Sequence, residues 1–253
     1  MITNFKFGIT ERGDAGLDLS WVDRLNAVVG AIIISKSASP DLIDALLKNK
    51  NKCIYHATCT GLGGTLFEPN VPKYEEKLKH VHDLLMRGFP ANQIVLRIDP
   101  IIQKSWIPTI EKYLNVDYIT TLTNILSFAE SEGIKTIRYS YLDLYDHNII
   151  RLSKLPFKFN SYGNLGNDEI KLEDINPNLK YESCAESISY YTHKVGCISK
   201  NDLIRLGIEN KYMFTGLSNQ RFGCLCPCQK LELLNKNYQC EHKCVYCYWK
   251  DKK

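Results

Sequence analysis

The feature that most restricts this chain is the alternation of short β-branched runs with helix-period segments over its first two-thirds. Strand candidates are residues 5–10, 28–35, 52–58, 94–98 and 136–142, the second built around Ile32-Ile33-Ile34. After the second, Ser39-Pro40 offers a capping hydroxyl and a first-turn proline, and Leu42, Ile43, Leu46 and Leu47 supply a buried stripe. Pro72 opens a further helix in which Tyr74, Leu78, Val81 and Leu85 recur near a 3.6-residue period, and Gly88 closes it. A longer helical region, 107–132, is expected to break near Asn115. Strand, helix and strand joined by short links favour parallel pairing. The expected fold is therefore α/β, a partial or complete (β/α) TIM-like barrel. Over 148–179 the periodicity fades into an irregular excursion or lid. Regularity returns at 181–191, followed by a helix at 200–206 and a short strand or turn at 213–217.

The chain ends differently from how it begins. Six of its ten cysteines lie in the last thirty of 253 residues. The expected organisation is a barrel-like catalytic domain, 1–222, and a cysteine-rich cluster-binding extension, 223–253, packed over the barrel mouth. The N-terminus lacks a secretory pattern and no apolar run approaches a membrane span, so the reducing cytoplasm is expected, where clustered thiols bind metal more readily than they oxidise. The formal charge is +4, too small to define a partner, but residues 224–253 carry six lysines against three acids. That basic segment would face an anionic substrate, a nucleic acid or water.

Cys240, Cys244 and Cys247 form a C-x3-C-x2-C triplet, with Tyr246 before the last cysteine. This spacing suits a [4Fe-4S] cluster held by three thiolates, with one iron left open. Zinc is the competing reading, because Cys244 and Cys247 would pair with Cys224 and Cys226, or with Cys226 and Cys228, as two cysteine pairs. Cys224, Cys226 and Cys228 are candidate ligands of an auxiliary iron-sulfur or zinc site, alone or with Cys184 or Cys197, or thiols for chemistry. His242, inside the triplet, would tune such a site through an outer contact.

Further motifs are Thr10-Glu11-Arg12-Gly13-Asp14, Thr60-Gly61-Leu62-Gly63-Gly64, Glu68-Pro69-Asn70-Val71-Pro72, Arg97-Ile98-Asp99-Pro100, 139–145 and Ser183-Cys184-Ala185-Glu186. With the triplet they make nearly the whole chain resemble the radical S-adenosylmethionine superfamily, in a bacterial branch related to spore photoproduct lyase. The resemblance implies a redox enzyme that cleaves S-adenosylmethionine to a 5′-deoxyadenosyl radical, with a flavodoxin or ferredoxin as reductant and a nucleic acid or peptide among candidate substrates. It implies Cys240, Cys244 and Cys247 as cluster ligands and Tyr246 as the aromatic flanking the adenine, with Tyr248 and Trp249 continuing the run. The triplet departs from ordinary members by arriving last rather than after the first strand.

Strand ends and the loops after them form the ligand face of a parallel barrel. Asp14, Gly61, Gly63, Gly64, Glu68, Arg97, Asp99, Asp143 and Tyr145 fall there. Arg97 and Asp99 alternate onto one side of their strand and should pair, as a structural ion pair or a substrate clamp. Asp143 and Tyr145 are similar catalytic candidates. The glycines would admit a cofactor carboxylate or ribose to the backbone, or serve only a tight turn. Glu68 would take the cofactor's amino group or be solvated. The rival functions are a zinc-stabilised nucleic-acid-binding protein and an electron-transfer protein with a complete four-cysteine cluster.

Overall fold

The isoleucine run forms a strand, β2 (Ala31–Ser35), beside β1 (Phe7–Ile9). The computed structural model describes residues 1–159, 169–184, 192–218, 224–234 and 240–247. A short helix, α1 (Trp21–Arg24), links the two strands. Ser39 caps α2 (Pro40–Lys48) by accepting from the Leu42 amide, and β3 (Cys53–Thr58) follows. Then come α3 (Tyr74–Met86), β4 (Ile94–Ile101), α4 (Ile107–Leu114), α5 (Tyr118–Ser131) and β5 (Thr136–Tyr141). The break between α4 and α5 falls at Asn115, whose φ of 51° is left-handed and ends the first helix.

The remaining elements are less regular: α6 (Asp146–Leu152), α7 (Leu172–Ile175), β6 (Lys180–Cys184), β7 (Thr192–Val195), α8 (Lys200–Arg205) and β8 (Lys230–Glu232). Two helices thus occupy the stretch expected to be irregular. Residues 213–217 are not a strand; the nearest pairing is an isolated bridge between Ile2 and Tyr212. Among the described residues the strands make one eight-stranded sheet in the order β7-β6-β5-β4-β3-β2-β1-β8, and every pair is parallel. Strand order is barrel-like, with β7 and β8 at its two ends.

Side chains alternate across the sheet. Ile33, Tyr55, Leu96 and Ile137 face the helices and join Leu42, Leu46, Val81, Leu84 and Leu122 in the larger core. Ile9, Ile32, Ile54 and Val95 face the other way, against Phe5 and against Ile198 and Leu203 at α8. On that second face the register sets Arg97 beside Arg138 and Arg138 beside Glu182. α8 answers this charged row. Arg138 reaches Glu182 at 2.5 Å and Asp202 at 3.5 Å, while Arg205 bonds Asp202 at 2.7 Å.

The cysteine-rich segment is not a separate cluster-binding extension: its residues 230–232 form β8, hydrogen-bonded beside β1. Among the described residues no group of three or more His, Cys, Asp or Glu side chains converges to hold a metal ion. The physical reason is that β8 divides the cysteines. Cys224, Cys226 and Cys228 precede it, with Cys226 bonded by the Cys197 amide and by its own amide to Cys224, whereas Cys240, Cys244 and Cys247 follow it, on the loop that carries His242 to Asp14. Among the described residues, too, no helix is long and apolar enough to cross a membrane.

Candidate functional site

Four segments far apart in sequence meet where the strands end. Asp14 follows β1, Ser35 ends β2, and Lys36 and Ser37 follow it. Glu68 lies beyond β3, and residues 240–247 arrive from beyond β8. Asp14 is buried and accepts from the Ser35 hydroxyl at 2.7 Å, the Lys36 amide at 2.6 Å, the Ser37 hydroxyl at 2.9 Å and the Gly16 amide at 2.8 Å. The His242 Nε2 is 3.0 Å from its second oxygen. Burial alone would push the Asp14 carboxyl up, but the hydrogen bond and charge of His242, with the Ser35 and Lys36 bonds, hold it well below the usual carboxylate range.

Lys36 sits at the centre of a second group. Its Nζ lies 2.6 Å from Glu68 Oε1, 2.8 Å from the Tyr246 hydroxyl and 3.3 Å from the Asp99 carbonyl. The Tyr246 hydroxyl also donates to Glu68. Burial lowers the Lys36 pKa, but Glu68 and the other neighbouring negative groups more than offset it, so the ammonium is favoured. Burial and Glu68 push the Tyr246 phenol far up, so the phenol keeps its proton.

Arg97 and Asp99 pair as their spacing on β4 requires, with Nε to Oδ2 at 2.8 Å, and Ser140 donates to the other Asp99 oxygen. Burial raises the Asp99 pKa, while Arg97 and Ser140 bring the net shift downward.

The loop carrying Tyr246 is held at several points. The Val245 amide donates to the Phe67 carbonyl at 2.9 Å, the Asn70 side chain to the Glu241 carbonyl at 2.6 Å, and Arg151 to the Cys247 carbonyl at 2.9 Å. His242 Nδ1 is 2.9 Å from the Asn70 carbonyl. Burial pushes the Cys59 and Cys240 thiols up to about 12 and Cys244 higher still, so all three are neutral thiols at pH 7 and poor nucleophiles.

Beneath the rim, Lys77 from α3 donates to the Ser37 carbonyl and the Tyr55 hydroxyl, each at 2.5 Å. Burial pulls its pKa down to about 8.

The other expected residues lie elsewhere on the rim or beyond it. Tyr145 donates to Asp143 at 3.0 Å on an exposed part of the rim. The glycine loop is shaped by its own neighbours. A Cβ on Gly63 would stand 1.9 Å from the Pro72 carbonyl oxygen, while Gly61 and Gly64 have φ of 79° and 75°. Cys228 lies exposed with its thiol on the Leu217 carbonyl at 3.2 Å. Tyr248, Trp249, Ala185 and Glu186 lie outside the described residues.

Sequence reasoning missed Lys36 and Lys77. Lys36 was detectable as a cation directly after a β-branched strand. Lys77 was detectable as a lysine on the apolar stripe of its helix, four residues before Val81.

The family model for Domain of unknown function (DUF1848) matches residues 20–249. The chain belongs to the DUF1848 family. No curated protein matches it. The family match is not to the radical S-adenosylmethionine superfamily, and among the described residues no three candidate ligands converge on a metal position. Together these findings overturn the radical-enzyme reading. With it go the [4Fe-4S] cluster, S-adenosylmethionine, the auxiliary iron-sulfur or zinc site and the assignment as a radical S-adenosylmethionine enzyme.

Proposed function

We propose that the protein binds a small molecule carrying a carboxylate or phosphate group at the C-terminal rim of its parallel sheet, under the 240–247 loop. The observation that carries this reading is the ordering of charge with depth. Lys36 and Arg97 keep 16% and 14% of their side-chain surface exposed, whereas their neighbours Glu68 and Asp14 keep 1% and 4%. Lys36 and Arg97 therefore stand in front of Glu68 and Asp14, and an anion reaching them does so beside the more exposed Asp99. Asp99, at 27%, is the accessible acid and would orient a hydroxyl or amine on the same molecule. Ligands of parallel α/β sheets bind at this end of the strands, which is a fold-level argument in support.

Isothermal titration of the full chain with malonate and with inorganic phosphate tests the reading. Saturable binding that weakens at least tenfold in both Lys36→Met and Arg97→Gln supports it. Heats that vanish with added chloride, or persist unchanged in both variants, reject it.

A nucleic-acid partner is the second reading, supported by the net local charge of +3 over residues 224–253, from six lysines and three acids. Steep loss of oligonucleotide binding with salt would favour it. A reducing, cytoplasmic setting is part of the proposal, supported by the nine cysteines whose side chains are described, which carry thiols rather than disulfides.

A further inference from the structure

Three thiols gather where the turn after β7 meets the segment that leads into β8. The Cys197 amide donates to Cys226 Sγ at 3.1 Å, and the Cys226 amide to Cys224 Sγ at 3.5 Å. The backbones press close at this point. A Cβ on Gly196 would lie 2.7 Å from the carbonyl carbon and oxygen of Leu225 and 2.8 Å from the Cys226 nitrogen. Lys230, the first residue of β8, places its Nζ 3.9 Å from Cys226 Sγ while bonding Glu11 at 2.6 Å. Cys226 and Cys224 are buried, and Cys197 is half-buried.

We infer that Cys197 and Cys226 are a dithiol site that exchanges with low-molecular-weight disulfides and closes into a disulfide across the seam between the turn after β7 and the segment that leads into β8. Three features support this pair over Cys224 with Cys226. The Cys197 amide bonded to the Cys226 sulfur sets the two residues side by side, and the backbones of residues 196 and 225–226 press together next to them. Cys197 alone of the three is open enough to meet an external disulfide. The hydrogen bond from Cys197 and burial push the Cys226 thiol far up, which keeps it protonated as the second, resolving group until the first has reacted.

The steps balance. The Cys197 sulfur, as thiolate, attacks one sulfur of the external disulfide, whose S–S bond breaks and whose other half leaves and takes up a proton. Cys226, losing its proton, then attacks the Cys197 sulfur of the mixed disulfide and expels the second half as a thiol. Two protein thiols are oxidised by two electrons, and one small disulfide is reduced to two thiols. Lys230 supplies a fixed positive charge beside the Cys226 sulfur as it becomes anionic.

The test is to equilibrate the full-length protein with glutathione disulfide, trap remaining thiols with N-ethylmaleimide, digest with trypsin and sequence the fragments by mass spectrometry. The expected product joins peptide 195–200 to peptide 222–230 through Cys226, with Cys224 and Cys228 alkylated. Oxidation should also shift Tm upward, because the seam is then covalent. Cys224→Ser should retain the cross-link and Cys197→Ser should lose it. A Cys224–Cys226 bond, a stable glutathione adduct on Cys197, or full alkylation of all three would each overturn the inference. If Cys197→Ser does not fold, the wild-type fragment map still decides.

Discussion

His242 Nε2 lies 3.0 Å from Asp14 Oδ2, although 228 residues separate them. This contact ties the C-terminal loop to the turn after the first strand, and Asp14 simultaneously fixes Ser35 at the end of β2 and Ser37 just beyond it. One buried carboxylate thus coordinates three segments through hydrogen bonds that favour its charged form.

Asp14→Asn should therefore destabilise the protein by about 2–4 kcal/mol, as expected when a buried, charge-assisted network loses its centre. The Asp14 pKa is lower folded than unfolded, so its contribution is complete above the unfolded value of about 4 and is lost as pH falls below it. Urea midpoints measured from pH 7 down to pH 3 should fall more steeply in the wild type than in the variant.

Lys77 acts in the same direction, but over an alkaline range. Its pKa is about 8 in the fold and about 10.4 in the unfolded chain. Between those values the unfolded state holds more protons, so stability should rise with pH at up to about 1.4 kcal/mol per unit. Chemical denaturation at pH 7.5, 8.5 and 9.5 should record that rise in the wild type and a flatter profile in Lys77→Met.

Arg138 neutralises Glu182 and Asp202 in the row beneath α8, where all three side chains are at most 1% exposed. Arg138→Met leaves the buried Glu182 and Asp202 facing Arg205 and the more exposed Lys180, 3.7 Å from Glu182, and should cost about 3–5 kcal/mol. Burial would raise the Glu182 pKa, but Arg138 and Arg205 hold it down at about 2. Its stabilisation is present above an unfolded value of about 4 and disappears as pH approaches 2. Guanidinium unfolding of the variant at pH 7 measures the loss directly.

Gly63→Ala should destabilise by about 1–3 kcal/mol, because the added methyl meets a backbone carbonyl 1.9 Å away that cannot rotate aside. Gly133→Ala is the informative contrast. No atom stands within 4 Å of its Cβ position, so only the cost of its φ of 72° remains. Differential scanning calorimetry of the two variants separates overpacking from backbone strain.

Much of the sheet was readable in advance, because β2, β3, β4 and β5 carry β-branched or apolar runs long enough to declare themselves. The pairing of Arg97 with Asp99 was readable for the same reason, since a strand's two-residue period places them together. β8 was not readable. Lys230-Leu231-Glu232 has no β-branched residue, and the flanking cysteines drew the whole segment into a metal-binding reading. Lys36 and Lys77 were overlooked because a lysine is ordinarily a solvated residue, and only their neighbours make them exceptional.

The sequence by itself determined the strand–helix alternation, the α2 cap at Ser39, the break at Asn115 and the sharing of one strand face by Arg97 and Asp99. Those are matters of local dihedral preference and of side-chain period, which act over a few residues. Only the tertiary structure decided that Tyr246 would reach Glu68 and Lys36, and that Cys226 would reach Cys197 rather than the later cysteines. Those outcomes depend on where β8 inserts beside β1. That choice is made by the burial of both faces of the sheet and the hydrogen bonds of its edge, and no spacing along the chain encodes it.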